Sequence, residues 1–185
     1  MNLRNSIILS IVMGGLALEG SAFSIDLPGA QGTPVSAVNQ FDRDFLVKAY
    51  RGGNTEVELG RLAQKKAGSK DVKDFAETMI WDHGKADTVV EALANQRGIA
   101  LPKEVEPSTR QKMAELSGLD SAAFDKAYVD LMVEDHKTDV AEFENAVGQL
   151  SDPEIKGFAE KTLPVLKGHL ERIEGIAKQQ NNKGG

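Results

Sequence analysis

The chain has 185 residues, no cysteine and a formal net charge of −6. Without cysteine there is no disulfide framework, no thiolate zinc site, no iron–sulfur cluster and no acceptor for lipoprotein acylation, so any site chemistry falls to histidine, carboxylates or methionine. The acidic balance argues against nucleic acid and anionic lipid as partners.

Residues 1–24 read as a signal peptide: Arg4, an apolar run from Ile7 to Leu18, then Gly20-Ser21-Ala22-Phe23-Ser24, with cleavage expected after Ala22 or Ser24. The run is shorter than the roughly 20 apolar residues that span a bilayer, and no other segment comes close. The expected mature protein is therefore exported and soluble, with no transmembrane segment. Residues 25–38, with Pro28, Gly29, Gly32 and Pro34, read as a flexible leader, and residues 39–178 as one domain with a sizeable core.

The first long helix is expected from Phe41 to Ala67, capped by Asn39 and closed by Gly68, with Leu46, Ala49, Gly53, Glu56, Gly60, Ala63 and Ala67 on its inner face. The second starts at Ser69 as a cap and runs to Arg97, stopped by Gly98, with Val72, Phe75, Ala76, Met79, His83, Ala86, Val90 and Leu93 inward. Residues 98–120 contain Pro102, Pro107 and a short helical stretch from Ser108 to Leu116. The third long helix spans Ser121 to Leu150, with Val129, Met132, His136, Val140, Phe143 and Val147 on one face.

The fourth opens with Ser151-Asp152-Pro153-Glu154, a capping box with proline in the first turn. Its stripe is Ile155, Phe158, Ala159, Thr162, Leu166, His169, Ile173 and Ile176, and residues 179–185 read as a disordered tail. Lys48-Ala49-Tyr50 reappears as Lys126-Ala127-Tyr128, and Val72-Lys73-Asp74-Phe75-Ala76-Glu77 as Ile155-Lys156-Gly157-Phe158-Ala159-Glu160. The repeat implies two related helical hairpins. Helices of about 27 residues are roughly 40 Å long, a distance the connection can span. The expected fold is all-α: a ferritin-like up-down-down-up four-helix bundle with a long crossover, containing a short helix, between the second and third long helices.

Three histidines, His83, His136 and His169, fall on inner stripes of three different helices, and Glu56 takes the equivalent place on the fourth. Glu56, His83, His136 and His169 lie about 15, 14, 15 and 17 residues into their helices, which at 1.5 Å per residue leaves a height mismatch of only a few Å. Buried among apolar side chains, such groups need mutual hydrogen bonds or a metal. Three imidazoles and a carboxylate suit a first-row ion, zinc, iron, manganese or copper. Asp87 and Asp139, one turn beyond His83 and His136, are candidates to orient them. Asp82 and Asp135 directly precede these histidines and should face neighbouring helices, where they could complete a second metal or a proton path; they rank below the histidines as ligands. Met79 and Met132, four residues before His83 and His136, add a copper(I)-friendly thioether option, although methionine in a helix core is usually filler.

Helix-weakening residues gather here: Gly52, Gly53 and Gly60 near Glu56, Gly84 beside His83, Gly168 beside His169, and Pro164, expected to kink the last helix one turn before His169. Trp81 and Glu134 should be surface residues, and Lys65, Lys66, Lys70 and Lys73 a solvated helix end.

Through its signal segment, Glu56-Val57-Glu58-Leu59-Gly60, the Asp-His pairs at 82-83 and 135-136, and Leu163-Pro164 followed by His169-Leu170, the chain resembles a bacterial family, domain of unknown function 4142, over residues 41 to 175. The resemblance implies an exported, ferritin-like four-helix protein, a type sometimes given an outer-membrane label, and implies no reaction. A di-iron carboxylate site wants Glu-x-x-His on two helices, whereas Ile80, Val133 and Leu166 stand three before the histidines, which disfavours ferritin-type iron storage. Three readings of function remain. The first is a periplasmic metal-binding bundle with redox or stress-protective use; the second is a non-catalytic envelope protein whose buried His/Glu cluster is structural. The third is an enzyme using an Asp-His pair as acid and base without metal. Metal identity and oligomeric state are left open.

Overall fold

The computed structural model describes residues 38–183; the signal segment expected over 1–24 and all but the last residue of the leader expected over 25–38 lie outside the described residues. Those residues form five helices and no strand: α1 Gln40–Lys66, α2 Lys70–Gln96, α3 Pro107–Ser117, α4 Ser121–Gln149 and α5 Pro153–Lys183.

Local sequence accounts for most of the helix ends. The Asn39 side chain accepts the Asp42 N–H at 2.8 Å and starts α1, and Asp120 accepts the Ala122 and Ala123 N–H groups at 3.0 and 2.9 Å to start α4. Gly98 follows α2 with φ +63, a left-handed conformation that a side chain would strain. Pro107 opens α3, where its missing N–H costs no helical bond.

Two starts differ from expectation. Ser69 precedes α2, but its hydroxyl makes no capping bond. Instead the Asp125 carboxylate of α4 accepts the Gly68 and Ser69 N–H groups at 3.1 and 2.7 Å. The capping box at α5 is also rearranged: Asp152, not Ser151, accepts the Glu154 and Ile155 N–H groups at 3.0 and 3.1 Å. Ser151 turns to Asp42 of α1, whose carboxylate accepts the Ser151 N–H (3.2 Å), the Ser151 hydroxyl (3.0 Å) and the Asp152 N–H (2.7 Å). Buried aspartates thus bind both interhelical turns, each from the opposite hairpin, and turn donors compensate their burial. Glu154, released from capping, joins Asp152 on the Arg97 guanidinium, both at 2.7 Å.

Helix α5 continues through Gln179-Gln180-Asn181-Asn182 to Lys183, the last described residue. Gln, Asn and Lys are tolerable helix residues, and no breaker intervenes before Gly184. Pro164 sits inside this continuous helix.

Helices α1 and α2 pack together, as do α4 and α5; α2 also touches α5, α1 touches α4, and α3 lies against α1 and α4. The inner faces read from the periodicity are buried or half-buried throughout. One apolar cluster gathers Leu59, Phe75, Met79, Phe124, Tyr128, Met132 and Ile173. A second gathers Leu46, Val90, Leu93, Phe143, Ile155, Phe158 and Leu166. On every long helix the residues 56, 83, 136 and 169 fall, in sequence, between the members of the two clusters, so a polar layer crosses the core.

Candidate metal centre

That layer is dry. His136 is fully buried, and Glu56, His83 and His169 are only 2, 7 and 6 % exposed. The rings of His83, His136 and His169 have centroids 5.5 to 6.0 Å apart, and one nitrogen from each lies within 4.8 Å of the other two. Among the described residues this is the group of three or more His or carboxylate side chains close enough to hold one metal ion.

Each ring has one nitrogen near an oxygen and the other left without a partner. His136 Nδ1 is 2.9 Å from the Met132 carbonyl; a carbonyl only accepts, so Nδ1 carries the proton and Nε2 is the bare nitrogen. His169 Nε2 is 3.0 Å from Asp82 Oδ2, and His83 Nδ1 is 2.9 Å from Glu56 Oε2. The nitrogens without a hydrogen-bond partner are His83 Nε2, His136 Nε2 and His169 Nδ1. An acceptor behind one imidazole nitrogen fixes the tautomer that presents the other as a ligand.

Glu56 borders the cluster rather than joining the group of three. His136 Nδ1 also comes within 3.3 Å of Glu56 Oε1, but neither imidazole approach has the directionality of a hydrogen bond, and both Glu56 oxygens remain without one. The Tyr128 hydroxyl is likewise buried without a partner. Phe75 packs edge-on against His136 and His169 at 5.8 and 6.4 Å.

Burial governs the charges. It lowers all three histidines from their ordinary value, against the pull of nearby carboxylates such as Glu56 beside His136 and Asp82 beside His169. It pushes Glu56 up, opposed by His136. At neutral pH the rings are unprotonated, the state a metal requires.

The aspartates divide differently from expectation. Asp82, ranked below the histidines, reaches across to His169 on α5 and holds its Nε2. Asp135, in the matching place before His136, instead lines a cavity of about 390 Å³ together with Asp87, Asp139, Glu56 and His83. Asp87 and Asp139, expected to orient the histidines on their own helices, make no hydrogen bond to them; burial raises Asp87 to about 7 and Asp139 to about 8. The sequence signal for Asp82 was present, since a residue preceding an inward one lies about 100° round the helix, towards the next helix. Met79 and Met132 are fully buried members of the apolar cluster beside the layer. Trp81 is 64 % exposed, as its face predicts.

Fold and site together define an all-helical domain with a buried three-histidine cluster that could hold a metal ion. The chain belongs to the family described as domain of unknown function (DUF4142), whose model matches residues 28–176. No curated protein matches the chain. Solved structures share the fold, among them the following. A DUF305 fragment from Deinococcus radiodurans aligns with a TM-score of 0.68 at 15 % identity, covering 77 % of this chain and 98 % of that one. A DUF305 protein from Streptomyces coelicolor gives 0.66 at 16 %, covering 76 % and 92 %. CopM in the Cu(I)-bound form gives 0.64 at 13 %, covering 75 % and 96 %. At these identities the likeness is one of fold. No helix among the described residues is long and apolar enough to cross a membrane.

Proposed function

We propose that this chain is an exported, periplasmic protein that binds one first-row transition metal ion through His83, His136 and His169, for a redox or stress-protective purpose. The observation that carries the reading is the convergence of three buried imidazole nitrogens without partners, each on a ring whose other nitrogen faces an oxygen. Leaving such atoms unpaired costs about 1–3 kcal/mol each, and a metal ion removes all three penalties together. Three neutral imidazoles suit zinc, copper or iron, and the Cu(I)-bound state of CopM, a protein of like fold, puts copper among the first ions to test. Asp82 then acts on the metal through His169, as the acceptor that holds its ring, Glu56 stands 2.9 Å from His83 Nδ1, and the fourth coordination position is left to Glu56 or to solvent.

The proposed bundle runs up-down-down-up, with the 97–120 connection as crossover. Asp42, near the start of α1, binds the α4–α5 turn, and Asp125, near the start of α4, binds the α1–α2 turn, a pairing that this topology satisfies. Export rests on the signal-like residues 1–24.

Metal analysis by mass spectrometry on protein isolated from the periplasm tests the reading. The expected result is about one first-row ion per chain, absent from a His83→Ala/His136→Ala/His169→Ala variant, with a thermal transition of the wild type that drops on chelation. A second reading, a metal-free structural cluster, draws on the contacts His136 and His169 already make to Met132 and Asp82. A folded wild type without metal, unaffected by chelator, would establish that reading instead.

A further inference from the structure

We propose that the acid-lined cavity beside the histidine layer is the route by which a hydrated divalent metal ion reaches His83, His136 and His169, an inference that rests on the metal-binding reading. The ligand nitrogens are sealed in the core, so an ion needs a path. The cavity supplies one, because its lining runs from side chains of α1, α3 and α4 inwards to Glu56 and His83.

Its walls hold the carboxyls of Glu56, Asp87, Glu106, Asp135, Asp139 and Glu142 against the basic groups of Lys48, Arg51 and Lys112. Glu142 is matched by Lys48 at 2.5 Å and Glu106 by Arg51 at 2.9 Å, both towards solvent. Deeper in, Glu56, Asp87 and Asp139 face the cavity and pair with no lysine or arginine among the described residues. Glu56 is 2 % exposed, and neither of its oxygens has a hydrogen-bond partner. Buried carboxylates of this kind need a cation or donors, and a hydrated divalent ion brings both. At about 30 Å³ of liquid volume per water, the space admits an ion with roughly six waters.

Two glycines of α1 keep the space open. A glycine in a helix interior costs about 1 kcal/mol relative to alanine, and α1 holds two in succession. A Cβ at Gly53 would lie 2.3 Å from Asp87 Oδ1, displacing that carboxylate from the wall. A Cβ at Gly52 would meet nothing within 4 Å. Both residues line the cavity, so a longer side chain at Gly52 would plug it without a backbone clash.

The test uses the full chain stripped of metal and mixed rapidly with Co²⁺, read by the visible absorption that cobalt gains on nitrogen ligation. Above pH 8, where both carboxyls are ionised, an Asp87→Asn/Asp139→Asn variant, which keeps side-chain volume, should load about tenfold more slowly at low salt and lose most of the salt dependence of the rate. A Gly52→Leu variant should slow association and dissociation together by about tenfold while its Kd stays within about threefold of wild type, because a plug raises a barrier without altering the bound state. If both variants load at the wild-type rate, the route is overturned and metal binding stands. If the wild type gains no more cobalt signal than the triple-alanine variant, the metal-binding reading fails, and the route with it.

Discussion

On one side of the histidine layer Phe75, Met79, Phe124, Tyr128, Met132 and Ile173 pack with no exposed surface; on the other, Phe143, Phe158 and Leu166 border an acid-lined cavity. The same four long helices build both halves, and glycines in α1 show how they come to differ. Gly60, on the sealed side, sits against α2 so closely that a Cβ would lie 3.0 Å from the Ala76 carbonyl oxygen and 3.0 Å from Ile80 Cγ1. There the missing side chain lets two backbones approach. Gly52, two turns earlier, leaves room in which no atom lies within 4 Å of where a Cβ would sit, and Gly53 beside it makes room for the Asp87 carboxylate of the cavity wall. One residue type therefore serves contact in one half and space in the other, and the polar layer marks the boundary.

Substitutions should separate the halves, beginning with the largest effect. Gly60→Val forces a branched side chain against a backbone carbonyl and should destabilise by about 1–3 kcal/mol in denaturant unfolding, with the m-value unchanged. A Gly60→Val protein as stable as wild type would mean that the sealed half is not closely packed there.

An intermediate effect concerns pH. Burial raises Asp87 to about 7 and Asp139 to about 8, both from an ordinary 3.8, and lowers the three histidines from 6.5. The raised carboxyls contribute stability that is complete below about pH 4 and lost as pH rises through 7 and 8. The lowered histidines contribute stability that is complete above 6.5 and lost as pH falls. Between pH 6.5 and 8 only the carboxyls change, so the Tm of the metal-free protein should fall across that window, and Asp139→Asn should flatten the slope. A Tm that rises from pH 6.5 to 8 would show the cavity carboxyls already ionised, and the contrast between the halves would lose its electrostatic part.

The smallest effect is a gain. Gly52→Ala adds a methyl group where nothing lies within 4 Å and removes a mid-helix glycine, so it should stabilise by about 0.5–1 kcal/mol in the same unfolding assay. Destabilisation instead would mean that the open space at Gly52 is already taken up.

Much of this was legible in the chain. The 3.6-residue periodicity places Glu56, His83, His136 and His169 inward, and all four are buried. Asn39, Asp120 and Gly98 act locally, through their own neighbours, and Asn39 and Gly98 are where the sequence pattern puts the helix ends. Ser69 and Ser151 failed as caps because aspartates from the opposite hairpin satisfy those turns, a contact separated by more than fifty residues that no local pattern encodes. Tyr128, noticed only as part of a repeated tripeptide, is among the largest fully buried side chains.

The sequence by itself determined which residue types are available for chemistry, where helices start and stop, and which faces turn inward, because these depend on propensity, capping and periodicity within a few turns. Only the tertiary structure decided which carboxylate serves which histidine. Asp82 crosses to His169, Glu56 stands beside His83, and Asp87, Asp135 and Asp139 face a cavity. A side chain's position around its own helix follows from spacing, but its partner depends on how far the neighbouring helix is rotated and how closely it approaches, and packing of the whole core sets both.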